Sequence, residues 1–197
     1  MRKKCGLVFL ALLGGVLFAG AFAGPVSGET RSRSLERVLA KGMFDAGESA
    51  RLQRAFAAAR QAGVDERDAL ALVGAGIEGE FDATQSLRVL SIATQLALEG
   101  LPIEGFLAKV EEGVSKRVDA DLVVKVAEHR ALALNQAKLI LNALVLQGFS
   151  VADRDEVLPD LAAALEAGRK PEDARAILAE ALQSGDRPGA IRRKLFP

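Results

Sequence analysis

The chain has 197 residues, including 26 basic and 26 acidic residues, one histidine and one cysteine, and it contains no tryptophan or tyrosine. The balanced charge lacks the basic excess typical of nucleic-acid-binding proteins. Without Trp and Tyr the chain also lacks the usual aromatic platforms for stacking bases and sugars. Composition therefore argues against nucleic-acid binding and gives little support to glycan recognition.

The first 23 residues have the three parts of a secretory signal peptide. Basic residues at 2–4 precede an apolar run at 7–18, and the small-x-small sequence at 21–23 is typical of a cleavage site. The apolar run is shorter than the roughly 20 residues that a membrane-spanning helix needs, so cleavage is favoured over a membrane anchor. We therefore expect a periplasmic or secreted protein with no integral membrane span after cleavage.

Cleavage would change both the cysteine content and the charge of the chain. Cys5, the only cysteine, precedes the apolar run, where a lipid-modified cysteine would not lie. The mature chain would have no disulfide and no thiolate ligand, and it would carry 23 basic against 26 acidic residues, a net charge of −3. Residues 24–34 combine Gly, Pro, Ser and charges without a period and are expected to form a flexible linker.

Residues 35–197 are predicted to form a single all-α domain. Apolar residues recur at helical spacing, and the alternating β-branched runs typical of strands are missing. A short helix is predicted at 35–39, followed by a turn at 43–47 and helices from Glu48 onward. Later helices are predicted to start at capping aspartates or at prolines: Asp65, Asp82, Asp119, Pro159, Pro171 and Pro188. The predicted stops are glycines: Gly42, Gly63, Gly100, Gly148, Gly168 and Gly185.

Two of these helices are expected to lie centrally. The helix that follows Asp82 is apolar on two faces, which predicts burial on two sides. The helix from Asp119 to Gln147 is very apolar over 139–146, a run far shorter than a membrane span, and is interpreted as a core helix.

The segment 100–119 predicts one amphipathic helix. Pro102 suits its first turn, and an apolar stripe recurs at helical spacing: Ile103, Phe106, Leu107, Val110 and Val114. The opposite face carries Lys109, Glu112 and Lys116, and the last two are four residues apart in the orientation that favours an ion pair.

The same segment resembles a stretch found in uncharacterised secreted α-helical proteins of bacteria. The shared pattern is Leu-Pro-x-Glu-x-Phe-x-x-Lys-x-x-Glu-Gly-x-x-Lys-Arg-Val, from Leu101 to Val118. The resemblance covers mainly this segment. It implies helical class and export, and it brings no catalytic residue and no function with it.

A repeat of 37 residues relates this segment to the one before it. Gly63 aligns with Gly100, and the register then pairs Leu70 with Leu107, Val73 with Val110, Gly76 with Gly113 and Asp82 with Asp119. A unit of two helices of this length is typical of solenoid repeats. The prediction is a short solenoid-like stack, or an irregular bundle, of two-helix antiparallel units; coincidence in an Ala/Leu-rich chain is the alternative. Close approach of a neighbouring helix would explain the two mid-helix glycines.

No residue set points to catalysis, a metal or a cofactor. His129 is the single histidine and has no sequence neighbour on its own helix face to orient it. The acidic clusters at 65–68 and 78–82 lie at predicted helix ends, where capping explains them, and neither has calcium-loop spacing. Any acidic chain offers carboxylate pairs, so a hydrolase is not eliminated.

The hypothesis is therefore a non-enzymatic, secreted or periplasmic helical protein that binds another protein or an envelope component. Its predicted binding face is Lys109, Glu112, Lys116 and Arg117. Two alternatives stay open: a carboxylate-dependent hydrolase of the cell envelope, and a membrane-surface protein that uses its basic C-terminal helix at 192–194. The partner and the oligomeric state are left open by the sequence.

Overall fold

The computed structural model describes residues 34–196, and within that range every regular element is a helix and none is a strand. The predicted signal peptide at 1–23 and residues 24–33 of the predicted linker lie outside the described residues, and Ser34 begins the first helix. The helices are α1 (34–39), α2 (Ala46–Gln61), α3 (Glu66–Glu78), α4 (Ala83–Leu98), α5 (Glu104–Ser115), α6 (Ala120–Leu146), α7 (Arg154–Glu166), α8 (Pro171–Gln183) and α9 (Pro188–Leu195). The predicted all-α class is confirmed.

The helices stack in two layers. All substantial helix–helix contacts in the described range join helices that are one or two positions apart along the chain. Helices α2, α4, α6 and α8 pack in that order as one layer, while α3 packs on α5 and α7 packs on α9 in the other. Short turns join consecutive helices, so chain neighbours run antiparallel. This contact pattern is that of a stack, because no substantial contact brings the first described helices to the last.

The 37-residue register recurs in the backbone of the turns. Glu80 and Arg117 are the two non-glycine residues with positive φ in the described range, at 56° and 54°, and they are 37 residues apart. In both turns the following residue donates its N–H to the carbonyl five positions earlier, at 2.7 and 3.0 Å. This is the Schellman arrangement that ends a helix with a left-handed residue. The repeat is therefore structural and does not depend on a shared Ala/Leu composition.

Three capping aspartates extend this register upstream. Asp45, Asp82 and Asp119 each lie at the N-cap of a helix, at intervals of 37 residues. The Asp45 side chain accepts from the N–H of Glu48, whose carboxylate accepts from the N–H of Asp45, a capping box. The predicted turn at 43–47 and helix start at Glu48 are therefore wrong, because this box starts α2 at Ala46.

The two mid-helix glycines allow close helix approach, as predicted. A Cβ at Gly113 of α5 would lie 2.7 Å from Val123 Cγ2 of α6, and one at Gly76 of α3 would lie 3.1 Å from Ser86 Oγ of α4. Real Cβ atoms do not tolerate the first distance without movement of the neighbour. Each glycine thus permits tight packing within its own two-helix unit.

Buried apolar side chains form one connected cluster from Leu35 to Leu195. Helix α4 is buried on both predicted faces, since Val89, Leu90, Ala93 and Leu96 are all buried. Its predicted central place follows from contacts with α2, α3 and α6. Within residues 34–196, no helix combines the length and the apolar character needed to cross a membrane.

Two further predicted helix starts are wrong. Pro159 lies inside α7, which starts at Arg154. A proline at this position has no N–H to donate to the carbonyl of Asp155. Because Asp155 lies in the exposed first turn, water can donate a hydrogen bond to that carbonyl instead. Helix α5 starts at Glu104 with Ile103 as its N-cap, so Pro102 precedes the helix. Arg117 lies beyond the last turn of α5, since its left-handed backbone ends the helix.

Candidate binding surfaces

The structure brings three of the four predicted binding residues together. On the exposed face of α5, Glu112 accepts hydrogen bonds from Lys109 Nζ at 3.1 Å and from Lys116 Nζ at 2.5 Å. Arg117 occupies the left-handed turn position that follows. The two lysines and the glutamate together keep a net charge of +1, and exposed pairs of this kind contribute little to stability.

The two lysines set the acidity of Glu112. The hydrogen bond from Lys116, followed by the one from Lys109, lowers the pKa of the Glu112 carboxyl below its ordinary value. A carboxyl whose pKa is lowered by folding stabilises the folded state above its unfolded pKa, and this contribution is lost as the pH falls through the folded value. The effect is therefore confined to acidic pH.

Replacing Lys116 with methionine is expected to raise the pKa of Glu112 towards its ordinary value, because the largest cause of the shift is removed. The measurement is an NMR titration of the Glu112 carboxyl carbon in both proteins. Lys125→Met, an exposed lysine on α6, is the control and should leave the titration unchanged. Equal Glu112 titrations in wild type and Lys116→Met would show that the hydrogen bond does not persist in solution.

A cleft that the sequence did not predict lies between the N-termini of α5 and α7. Its volume is about 520 Å³. The turn 99–101 and Lys138 of α6 close it on the other sides. Its apolar lining comes from two Leu and two Pro side chains: Leu101, Pro102, Leu158 and Pro159. Helices α5 and α7 are neighbours in the second layer, but they do not pack on each other as α3 packs on α5 or as α7 packs on α9. The cleft lies in the gap between them.

The cations at the cleft are already engaged within the protein. Lys138 Nζ donates to the Glu99 carboxylate at 2.6 Å and to the Glu99 carbonyl at 2.8 Å. Arg154 Nη2 donates to Asn142 Oδ1 at 2.7 Å. These contacts fix the end of α4 and the start of α7 against α6, so they hold two sides of the cleft in place.

Two carboxylates at the cleft rim have no partner among the described residues. Glu104 and Asp155 lie in the first turns of α5 and α7, both exposed. Within residues 34–196 neither side chain forms an ion pair or a hydrogen bond. The cleft therefore combines apolar walls with two unpaired negative charges.

A largely buried ion pair joins α6 to the C-terminal end of α7, beside the start of α5. Arg130 Nη1 of α6 donates to Glu166 Oε2 of α7 at 2.8 Å, and the two side chains are 8% and 17% exposed. Gly105 of α5 faces the guanidinium, where a Cβ would lie 2.9 Å from Nη2. Close packing against Arg130 therefore explains why residue 105 is a glycine. Sequence reasoning missed the pair because its members are 36 residues apart and on different helices.

Two of the three C-terminal cations, Arg192 and Lys194, form contacts within the protein. Arg192 lies 3.7 Å from Asp160, and Lys194 lies 3.0 Å from Asp186. Hydrogen bonds to Asp186 and then to Glu180 raise the pKa of Lys194. These pairs connect α9 to α7, α8 and the turn before α9. They give the basic residues a structural role, as cations near a helix end commonly have.

The acidic clusters cap helices, as predicted. Asp82 Oδ1 accepts from the Gln85 N–H at 2.7 Å, and Asp65 Oδ1 accepts from the Arg67 N–H at 2.8 Å. His129 is exposed on α6. In the described part of the chain the buried polar side chains are Ser86 and Arg130, and no carboxyl group is among them.

No protein-family model, curated protein or solved structure matches this chain. What the protein does is therefore inferred from its own residues, and the cleft between α5 and α7 is the strongest candidate site.

Proposed function

We propose that this is a non-enzymatic helical interaction protein which, once exported, binds another protein or an envelope component. The observation that carries the proposal is the cleft between α5 and α7, with apolar walls and two free carboxylates. A segment that places an apolar side chain next to a lysine or arginine fits this chemistry. The apolar side chain would fill the cleft, and the cation would meet Glu104 and Asp155.

The rim chemistry favours binding over hydrolysis. A carboxylate-pair hydrolase needs one carboxyl group that holds a proton at working pH, which usually requires burial or a close like charge. Glu104 and Asp155 are both exposed to solvent, in the first turns of α5 and α7. The cleft rim therefore lacks the buried carboxyl group that the hydrolase alternative calls for.

The double variant Glu104→Gln/Asp155→Asn is expected to weaken binding about tenfold, because each exposed charge pair contributes up to about 1 kcal/mol. The probe is a fluorescein-labelled peptide that alternates leucine and lysine, measured by anisotropy at low salt. Its leucine–glutamate counterpart should bind more weakly than the lysine peptide to wild type. Affinity capture from cell-envelope extract then uses the same variant as bait.

Matched controls separate the cleft from the other surfaces. Glu156→Gln removes a charge from the same first turn of α7 but outside the cleft, and should leave binding unchanged. Lys109→Ala/Lys116→Ala tests the predicted face on α5, where the fold should tolerate the changes. Loss of capture only in the lysine variant would assign binding to that face. Cleavage of captured material would favour the hydrolase, and equal binding by all variants would refute the cleft proposal.

A further inference from the structure

Arg154 brings a positive charge into the cleft between α5 and α7. Its hydrogen bond to Asn142 Oδ1, at 2.7 Å, goes to a neutral amide. Across residues 34–196, no carboxylate forms an ion pair with this guanidinium. Lys138 differs, because the Glu99 carboxylate at 2.6 Å balances its charge. Arg154 is therefore a cation of the cleft whose charge is not balanced by an ion pair.

Asn142 holds the guanidinium in place and leaves most of its donors unused. A guanidinium has five N–H groups, and in the described part of the chain Nη2 alone has a partner. Arg154 and Asn142 are both half-buried, so the side chain is held against α6. A planar guanidinium matches a carboxylate, to which it can donate two parallel hydrogen bonds. Arg154 is thus suited to bind a carboxylate of a ligand.

The unpaired charges of the cleft differ in exposure. Arg154 is half-buried, whereas Glu104 and Asp155 are exposed at the rim. Successive side chains on a helix do not share a face, so Arg154 and Asp155 present opposite charges at separate places. A ligand that meets all three groups has a carboxylate that enters first and a cation that stays at the rim. The apolar walls suit a hydrocarbon stem such as that of a lysine side chain.

The shape of the cleft favours the end of a chain. The cleft is bounded on four sides, by the starts of α5 and α7, the turn 99–101 and Lys138. Its volume of about 520 Å³ is in the range of small-molecule sites. A segment that continues in both directions needs an open groove, whereas a terminal residue enters from one side. The terminal residue of a polypeptide also carries the carboxylate that Arg154 is suited to bind.

We infer that the cleft recognises a C-terminal lysine or arginine, with its α-carboxylate on Arg154 and its side-chain cation between Glu104 and Asp155. This inference rests on the proposed function, since it names the part of the partner that enters the same cleft. One basic residue with a free carboxylate supplies the anion, the hydrocarbon stem and the cation together. A free basic amino acid carries the same groups, and competition distinguishes the two sources.

The test of the carboxylate uses fluorescein-labelled peptides that alternate leucine and lysine and end in lysine, measured by anisotropy at low salt. Wild type is expected to bind the peptide with a free C-terminal carboxylate roughly tenfold more tightly than its C-terminal amide, because the amide loses a charged hydrogen-bond acceptor. Arg154→Gln should bring this ratio close to one. Arg175→Gln removes an exposed cation from α8, outside the cleft, and should leave the ratio unchanged.

Two measurements separate recognition from folding. Circular dichroism and urea unfolding of Arg154→Gln should stay close to wild type, because Arg154 makes one hydrogen bond within residues 34–196. Arg154→Lys keeps the charge without the forked donors, and should retain an intermediate ratio. A full ratio in Arg154→Gln would overturn the assignment of the carboxylate to Arg154.

Further peptides identify the source of the carboxylate. Nα-acetyl-lysine that displaces the peptide at a comparable concentration would support the same chemistry in a free amino acid, and its failure to compete would support a chain end. An amidated peptide with an internal aspartate that binds as tightly as the free acid would overturn chain-end recognition. Equal binding of acid and amide, both weakened by Glu104→Gln/Asp155→Asn, would refute this inference and leave the proposed function standing. No binding of either peptide would refute both.

Discussion

Replacing Glu166 with alanine is expected to lower the free energy of unfolding by about 3–5 kcal/mol, the usual cost of breaking a buried ion pair. Arg130 would then keep its charge in a site where its side chain is 8% exposed, without its carboxylate partner. Arg130 Nε already lacks a hydrogen-bond partner, so no second contact within the described residues compensates. In a chain of this size the melting temperature should fall by roughly 6–20 °C.

Two further variants distinguish lost charge from lost packing. Glu166→Gln keeps an acceptor of the same shape for Arg130 Nη1 and should cost less than alanine. Arg130→Met/Glu166→Leu removes both charges and should be close to wild type or more stable, since the desolvation penalty disappears with them. Urea unfolding measures all three. A loss below about 1 kcal/mol for Glu166→Ala would mean that the pair behaves as a solvent-exposed one.

Replacing Gly113 with alanine is expected to destabilise the protein by about 1–3 kcal/mol through overpacking. The new methyl group would lie 2.7 Å from Cγ2 and 3.1 Å from Cγ1 of Val123, which is buried in α6. A β-branched side chain in a helix has one strongly preferred rotamer, so Val123 cannot rotate away. The helix propensity of alanine, about 1 kcal/mol better than that of glycine, offsets part of the loss.

Gly74 provides the matched control for this change. It is also a mid-helix glycine, in α3, but a Cβ there would have no atom within 4 Å. Gly74→Ala should therefore raise the free energy of unfolding by about 0.5–1 kcal/mol. Val123→Ala in the Gly113→Ala background should cost less than the two single changes added together. The close-approach account would be wrong if Gly113→Ala and Gly74→Ala changed stability in the same direction in urea unfolding.

Local signals allowed most helix ends to be predicted from the sequence. Gly63, Gly100, Gly148, Gly168 and Gly185 all have positive φ at helix ends, because a residue without a Cβ takes that conformation at little cost. The N-terminal signals act over three residues or fewer. Such short-range chemistry is fully present in the sequence, and this is why it could be predicted.

The features that were missed depend on residues far apart in the chain. Nothing near Arg130 identifies Glu166 as its partner, and nothing near Glu104 indicates that Asp155 lies across the same cleft. The start of α7 was misplaced because Pro159 normally marks a helix start, whereas here it is tolerated one turn later. The existence of the cleft depends on the distance between α5 and α7 where both pack on α6, and local sequence patterns do not determine that distance.

The stacking of each helix on its nearest chain neighbours also bears on how the protein folds. Among α2–α9, the helices that pack substantially on one another are at most two positions apart along the chain. The loops that must close before these contacts form are therefore short, and their entropic cost is low. Chains rich in such local contacts fold quickly, and folding can start in any unit and spread to the next. Fast folding shortens the time during which an unfolded chain is exposed to proteases and to aggregation.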